Sequence, residues 1–453
     1  MLNTYQLERQ IEAQMEQAHV PGVALAIVHG QEIAYARGFG VTSIEAGGNP
    51  VTPDTVFRIG STSKALTGTA AMRLVETGKL DLDVSVKNYL PWFRLHDPDT
   101  ADRVTLRKLL NHTAGLPTAY EPFGSRDPEA MGSFIRQEVP KFALVAPPGK
   151  LCSYSNLHTN IVGHIIEVVT GQFFEDAMQE LIFQPLEMYR STFDVSVAMT
   201  YPLALGHELS PDGFLCVQHR FVENVVHNPA GFGLSTVLDM ANFAMMHMNG
   251  GRFRDQQLLS AALVAAMQTI EGDLYSMSKS GYGLPFLIHS YRGIQRVSHN
   301  GDVPSFGSLF YMAPDEGLAV IMLVNRIDDF WPAAIKTVNQ IYSQVLGLPS
   351  VREEPQVIEP DRALWSMYVG IYESPIALPG LEVAARVEVK VVGDELTLDA
   401  GGVNLPLQAM RDDFYFAVPP GSKRATPVGF IPEAKGPVQF LMLNSQPYRR
   451  VSG

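Results

Sequence analysis

Strand-like segments on both sides of a mainly helical region constrain the fold of this 453-residue chain. Gly22–Val28 and Glu32–Arg37 flank a His-Gly-Gln turn, a pattern typical of a β-hairpin. Much later in the chain, Phe306–Met312 and Leu318–Val324 are joined by a short segment that contains proline and glycine. We expect these distant strands to meet in one sheet, because each must bury its apolar face.

Helical patterns fill the chain between these strands. Apolar spacing from Leu66 to about Leu203 predicts a series of helices that proline and glycine clusters interrupt. The first twenty residues and Pro332–Leu346 each predict one more helix, and Tyr282–Ile288 predicts a further strand. The sequence therefore predicts an α+β domain with an antiparallel sheet built from both ends and an inserted helical block.

The C-terminal part of the chain has a different pattern. Pro349–Pro360 carries three prolines and little apolar content, which is typical of a linker. Beyond it, residues alternate as in strands at Glu382–Val391, Glu395–Leu398, Phe414–Val418 and Gln439–Leu443. We therefore expect a large domain over 1–348, a linker over 349–360, and a small β-barrel or curved sheet over 361–453.

Composition excludes several classes of partner. With 34 basic and 47 acidic side chains the formal charge is −13, which opposes binding to nucleic acid. Cys152 and Cys216 are too few for a disulfide scaffold, and the longest aliphatic run, Leu318–Val324, is too short to span a membrane. The first helix lacks the pattern of a cleavable signal. We expect a cytoplasmic protein with no membrane or nucleic-acid partner.

The motif Ser61-Thr62-Ser63-Lys64 follows a strand-like run and opens a helical pattern that ends near Gly78. A serine nucleophile needs a proton acceptor within hydrogen-bond reach. On a helix, positions i and i+3 share one face, so Lys64 can accept the proton of Ser61. Ser276-Met277-Ser278-Lys279 has the same spacing, but glycines follow it at once and no helical pattern does. Ser61 is the candidate nucleophile, with an ordinary helix-capping serine as the alternative.

Lys64 needs help to act as a base, because a lysine with its ordinary pKa near 10.4 is protonated at neutral pH. Tyr154, in Tyr154-Ser155-Asn156, is our candidate for relaying a proton between serine, lysine and leaving group. Asn156 adds an amide able to orient Lys64 or hold a substrate carbonyl. The alternative is a core tyrosine whose hydroxyl bonds to the backbone.

A third candidate element is His299-Asn300-Gly301, the only His-x-Gly in the chain. At a sheet edge beside Ser61, its backbone would bind an acyl group, and its imidazole would donate to a substrate carboxylate or carbonyl. A turn with a solvated histidine is the alternative, and Lys279-Ser280-Gly281 is a rival for the same role.

Taken in this order, the three elements resemble the motifs of the serine β-lactamase and penicillin-binding-protein superfamily, most closely its class C, D-aminopeptidase and esterase branch. Other blocks share the likeness: Phe57–Ser61, Gly78–Asp83, Leu109–Pro117, Phe183–Met188 and Gly233–Thr236. The resemblance covers roughly residues 1–348. It implies an α/β sandwich joined to a helical domain, with the active site at their junction, and the tail resembles a lipocalin-like barrel.

The resemblance also implies roles for the candidate residues. Ser61 would be acylated, Lys64 would be its base partner and Tyr154 the second acid and base. Substrate contacts would come from Asn156, His299, Asn300 and Gly301. The backbone N–H groups of Ser61 and Asp302 would form the oxyanion hole. Asp302 stands where a small residue is usual, and Asn300 where threonine is commoner.

We therefore expect a serine hydrolase that cleaves an amide or ester of a small substrate through a Ser61 acyl-enzyme. Short peptides, including peptides with D-amino acids, rank ahead of carboxylic esters. β-Lactamase activity ranks lower, because a mostly neutral histidine holds a substrate carboxylate weakly. An acyltransferase with the same intermediate and a non-catalytic acyl-ligand sensor are the alternatives. We expect no cofactor and no metal, and the sequence is compatible with a homo-oligomer.

Overall fold

A computed structural model describes residues 2–118, 125–275, 280–349, 357–374, 386–418 and 425–451. Its α-helices are α1 Thr4–Gln17, α2 Ser63–Glu76, α3 Leu106–Leu110, α4 Ala130–Gln137, α5 Asn156–Thr170, α6 Phe174–Met178, α7 Val195–Ala198, α8 Asn228–Gly231, α9 Val237–Met248, α10 Ala261–Met267, α11 Trp331–Leu346 and α12 Trp365–Tyr368. Among the described residues, no helix combines the length and the apolar character needed to cross a bilayer.

The strands fall into two groups. The first group is β1 Gly22–His29, β2 Glu32–Gly40, β3 Phe57–Arg58, β4 Gly206–Leu209, β5 Leu215–Gln218, β6 Leu234–Ser235, β7 Arg252–Phe253, β8 Gln256–Gln257, β9 Gly272–Asp273, β10 Gly281–Tyr282, β11 Leu287–Tyr291, β12 Ile294–Val303, β13 Phe306–Ala313 and β14 Leu318–Val324. The second group is β15 Gly370–Glu373, β16 Arg386–Val392, β17 Glu395–Ala400, β18 Val403–Arg411, β19 Phe414–Ala417, β20 Thr426–Phe430, β21 Phe440–Leu443 and β22 Gln446–Val451.

Eight strands form one antiparallel sheet in the order β2-β1-β14-β13-β12-β11-β10-β9. Strand β1 pairs with β14 from Val23 opposite Val324 to His29 opposite Leu318. The early hairpin and the late strands therefore meet directly. The predicted α+β fold, with an antiparallel sheet built from both ends and a helical block inserted, is confirmed.

Both faces of this sheet are covered by helices. Along β1, the side chains of Val23, Leu25 and Ile27 pack with α1 and α11, while those of Ala24 and Ala26 face the core shared with α2, α5 and α9. Successive side chains of a strand point to opposite faces, so a strand buried on both sides is apolar throughout. This explains the continuous apolar sequence of β14.

Parts of the eight-stranded sheet differ from the sequence prediction. The segment predicted as one strand over Tyr282–Ile288 is a hairpin of β10 and β11, with a turn in which Gly283 N–H donates to the Phe286 carbonyl at 2.8 Å. Pro285 has no N–H for a sheet ladder, which accounts for the break. Strand β12 was not predicted, because its second half is the polar run Ser298–Asp302 and lacks apolar alternation.

The second group of strands forms a closed antiparallel barrel in which β15 pairs with β22. A buried cluster that includes Trp365, Tyr372, Tyr415 and Tyr448 packs inside it. The predicted small β-barrel is therefore confirmed, and side chains fill its core. Residues 350–356 of the predicted linker lie outside the described residues, and the boundaries at 348, 349–360 and 361 stay a prediction.

The barrel packs on the first domain through a small apolar cluster. Its members are Val145, Ala146, Leu151, Ile431, Phe440 and Met442. Beside the cluster, Lys150 Nζ lies 2.8 Å from Glu433 Oε1. The barrel therefore supports the segment that leads directly into Tyr154.

Met442→Glu tests this contact. A carboxylate introduced at a buried position without a partner is costly, so we expect the free energy of unfolding to fall by about 2 kcal/mol or more. Guanidinium denaturation measures this change. The matched control is Val403→Glu at a barrel position that is 55% exposed, and we expect a change within about 0.5 kcal/mol there. Equal effects of the two substitutions would contradict the packing described.

Candidate active site

Ser61 lies in a tight turn between a strand and a helix. Strand β3 ends at Arg58, a 3₁₀ turn covers Gly60–Thr62, and α2 begins at Ser63. Gly60 has a φ of +52°, a left-handed conformation that glycine adopts without strain. The turn places Ser61 at the mouth of the site, partly exposed, with Lys64 buried one turn further on.

The Lys64 amine reaches the Ser61 hydroxyl. Its Nζ lies 3.0 Å from Ser61 Oγ and donates to the Ala230 carbonyl at 2.6 Å. An ammonium would donate to Oγ, whereas a neutral amine would accept the Oγ proton through its lone pair. The geometry therefore allows the proton transfer that a serine nucleophile requires.

Tyr154 borders the same amine, with its ring centroid 4.8 Å from Lys64 Nζ. The next residue, Ser155, caps α5: its Oγ accepts from Leu157 N–H at 3.2 Å and donates to the Pro117 carbonyl at 2.7 Å. Helix α5 therefore begins at Asn156, which is half-buried. The cap holds Tyr154 at the point where the chain enters α5.

The His-x-Gly segment lies on β12 beside the turn that carries Ser61. Pairing of β12 with β11 ends at Ser298, so in the described part of the chain residues 299–303 pair with β13 alone. Thr62 Oγ1 donates to the His299 carbonyl at 3.0 Å, and Ser308 Oγ donates to the Ile59 carbonyl at 2.6 Å. These bonds tie the Ser61 turn to the free edge of β12, where the sequence predicted the segment.

The contact between the turn and β12 requires glycine on both sides. A β-carbon on Gly301 would lie 1.9 Å from the Ile59 carbonyl oxygen and 2.8 Å from Ser61 N. A β-carbon on Gly60 would lie 2.6 Å from Asp302 N. Because both residues are glycine, the two backbone segments pack closely here. The backbone nitrogens of Ser61 and Asp302, which form the predicted oxyanion hole, both border this contact.

Asn300 does not join the other candidates. Its Nδ2 donates to the Tyr311 hydroxyl at 2.9 Å, and Tyr311 packs in the core beneath α1 and α11. Neighbouring side chains on a strand point to opposite faces, so His299 faces Tyr154 while Asn300 faces away from it. The Asn300 side chain is therefore directed into the core, and a substrate contact of Asn300 through its backbone stays a prediction. The structure brings together Ser61, Lys64, Tyr154, His299 and Gly301.

The His299 imidazole is neutral, and its one N–H donates to the backbone carbonyl of Asn300. Its Nδ1 lies 2.8 Å from the Asn300 carbonyl, which can only accept, so Nδ1 carries the hydrogen and Nε2 is bare. Burial, with the charge of Lys64, lowers the pKa of His299 to about 3. Contrary to the sequence expectation, this ring has no proton to donate to a substrate.

Three buried residues around Tyr154 were given no role from the sequence. His112 packs its ring 4.8 Å from the Tyr154 ring and is hydrogen-bonded to His158, and Tyr282 lies 5.9 Å from the Tyr154 ring. The only signal for His112 was its place in the Leu109–Pro117 block of the family likeness. Lys279, of the rival Lys279-Ser280-Gly281 motif, lies outside the described residues.

Buried neutral histidines predict destabilisation by acid. Burial lowers the pKa of His158, His247 and His299 from 6.5 to about 3 in the folded protein. Between these values the unfolded chain binds protons that the folded chain does not, so the free energy of unfolding falls as the pH drops below about 6.5. Each histidine contributes a slope of about 1.4 kcal/mol per pH unit.

Denaturation by guanidinium between pH 7 and pH 4.5 measures this slope. His247 lies away from Ser61, with Nε2 3.0 Å from Thr69 Oγ1, so His247→Gln removes one titrating group without altering the site. We expect that substitution to flatten the slope. A slope insensitive to His247→Gln would contradict the assignment.

The sequence of residues 7–340 matches the β-lactamase family. Penicillin-binding protein 4 of Amycolatopsis lactamdurans is 30% identical over 365 residues, which cover 78% of this chain and 92% of that protein.

Solved structures match nearly the whole chain, barrel included. The octameric penicillin-binding protein homologue from Pyrococcus abyssi has a TM-score of 0.68 at 27% identity and covers 99% of this chain and 100% of its own. SurE with D-Leu has a TM-score of 0.73 at 23% identity and covers 98% and 99%.

Proposed function

Because the chain belongs to the β-lactamase family, we propose that it is a serine hydrolase that cleaves an amide or ester bond of a small substrate through a Ser61 acyl-enzyme. The observation that carries the proposal is the 3.0 Å contact between Nζ of the buried Lys64 and Oγ of the partly exposed Ser61. Activity needs a poised nucleophile and a proton acceptor, and this contact supports the assignment of Ser61 and Lys64 to these two roles.

In the proposed first step, a neutral Lys64 amine accepts the Ser61 proton while Oγ forms a bond to the substrate carbonyl carbon. The Ala230 carbonyl, at 2.6 Å from Nζ, accepts one amine hydrogen and so directs the nitrogen lone pair. The carbonyl oxygen becomes an oxyanion. We assign its stabilisation to the backbone N–H groups of Ser61 and Asp302, and the close contact of Gly60 with Gly301 and Asp302 supports this assignment.

In the second step, the bond to the leaving group breaks and the departing nitrogen or oxygen receives a proton. We assign this transfer to Tyr154, since its ring borders Lys64 Nζ and a phenol can pass on a proton that the amine replaces. Water then attacks the acyl-enzyme by the reverse sequence of proton transfers, which releases the acid and restores Ser61.

The neutral His299 favours substrates without a carboxylate at this position. With a pKa of about 3, the ring carries no positive charge to hold a carboxylate at neutral pH. We therefore rank short peptides or esters above β-lactam antibiotics. The solved complex of SurE with D-Leu supports the choice of peptides that contain D-amino acids. The octameric homologue supports a homo-oligomer.

Substrate assays separate hydrolysis from the alternatives. A D-amino-acid anilide and a short-chain nitrophenyl ester are offered with and without an added amine. Turnover in water alone supports the hydrolase, and turnover that needs the amine supports an acyltransferase. A single burst without turnover indicates an acyl-ligand sensor.

Ser61→Ala tests the nucleophile. We expect the substitution to abolish both turnover and the covalent adduct that a fluorophosphonate forms, because no other residue takes the acyl group. Intact-protein mass spectrometry measures the adduct. The chain offers a matched control in its second Ser-x-x-Lys sequence, and Ser276→Ala retains adduct and turnover. An adduct that persists on Ser61→Ala would identify a different nucleophile.

Tyr154→Phe tests the proton relay. Loss of one general acid and base lowers rates by about 10² or more, so we expect that loss in kcat with the adduct on Ser61 still formed slowly. Steady-state kinetics on the anilide measure it. A rate within about threefold of the unaltered protein would leave Tyr154 a scaffold residue without a role in proton transfer.

A further inference from the structure

His112 holds the backbone on both sides of Tyr154. Its carbonyl accepts from Ser153 N–H at 2.8 Å, and its Nδ1 lies 3.4 Å from the nitrogen of Ser155 N–H, which donates to it. Its ring packs on the Tyr154 ring at 4.8 Å. His112 adopts a left-handed φ of +59°, which is unusual for a residue with a side chain. His112 therefore contacts the backbone before and after Tyr154 and also packs against the Tyr154 ring.

The hydrogen bonds of His158 determine which nitrogen of His112 carries a proton. His158 Nε2 lies 3.2 Å from Leu116 N and accepts the hydrogen of that amide. In a neutral ring the single hydrogen is then on Nδ1. That Nδ1 lies 3.0 Å from His112 Nδ1 and donates to it. His112 therefore carries its own hydrogen on Nε2.

The His112 Nε2–H lies among the rings of Tyr154 and Tyr282. Among the described residues this atom is buried without a conventional hydrogen-bond acceptor. The ring meets Tyr282 edge-on at 4.7 Å and lies against Tyr154, so the N–H is set among aromatic faces, which are weak acceptors. In the other neutral tautomer of His112 the hydrogen would be on Nδ1. Its Nε2 would then place an unprotonated nitrogen against these rings, and Nδ1 could not accept the hydrogen of Ser155 N–H.

Neither histidine is available as an acid or base. Both are completely buried, and burial is the main cause that lowers their pKa values. The titratable groups packed around His112 are Lys64, Tyr154, His158, Tyr282 and His299. The positive charge of Lys64 disfavours a further proton on either imidazole.

We propose that His158 is a positioning residue: by donating to His112 Nδ1 it fixes the tautomer and orientation of His112, which in turn holds Tyr154 for proton transfer. This rests on the role of Tyr154 in the proposed function. Outer partners of this kind typically change activity by about 10- to 100-fold when removed.

Nitrogen NMR on protein labelled with ¹⁵N-histidine tests the tautomers without any substrate. We expect a hydrogen on His158 Nδ1 and on His112 Nε2, a coupling across the Nδ1–H···Nδ1 bond, and no titration of either ring between pH 5.5 and pH 8. A hydrogen on His112 Nδ1, or titration in that interval, would overturn the proposal. This measurement stands even if no substrate is found.

Two substitutions at position 158 form a matched pair. In His158→Asn an amide N–H occupies the place of the Nδ1 donor, whereas in His158→Gln the amide reaches the Nε2 place and the donor to His112 is lost. We expect kcat to fall about tenfold for His158→Gln with KM nearly unchanged, and to stay within about threefold for His158→Asn. Equal losses for the two variants would overturn the proposal.

A double-mutant cycle with Tyr154→Phe then assigns the effect to Tyr154. Because His158 acts through that hydroxyl, His158→Gln has no further effect on kcat once the hydroxyl is removed. The same tenfold loss in the Tyr154→Phe protein would mean general structural damage and would overturn the proposal. Absence of turnover in the unaltered protein, with the expected tautomers in NMR, would count against the proposed function instead.

Discussion

A single backbone contact joins the two halves of the site. Gly60, before the nucleophile, lies against Gly301 and Asp302 of β12, at distances that no β-carbon on either glycine could tolerate. Thr62 and Ser308 secure the contact with hydrogen bonds to backbone carbonyls. The helix that carries Lys64 and the strand that carries His299 keep their relative positions only because this junction has no side chains. The position of Ser61 therefore depends on two residues without side chains, Gly60 and Gly301.

Periodic and local features could be predicted from the sequence. Strand β14, helix α11 and the Ser61–Lys64 pair follow from apolar alternation or from i to i+3 spacing, and each is found where expected. The barrel was predicted from four alternating segments; β15, β18, β20 and β22 were not foreseen. The polar half of β12 was missed because the residues that build the site replace the apolar pattern that identifies a strand. The direction of the Asn300 side chain follows from its place on that strand, so it was not open to prediction from the sequence.

The electrostatic character of the site could not be predicted either, because it arises from burial and from contacts distant in sequence. His112 and His158 are 46 positions apart, yet their imidazoles share a hydrogen bond. His299 keeps a low pKa because it is enclosed and close to Lys64. Neutral imidazoles and tyrosines surround Lys64 and Ser61. Such a lining stabilises a neutral acyl group better than an anionic one.

The packing of the C-terminal barrel on the first domain links changes in one domain to the structure of the other. Ile431, Phe440 and Met442 press on Val145, Ala146 and Leu151, a few residues before the tyrosine at the cleft. A substitution among these buried barrel residues can therefore shift the segment before Tyr154 through rigid packing. Evolution of the barrel and of the segment before Tyr154 is therefore coupled by shared packing.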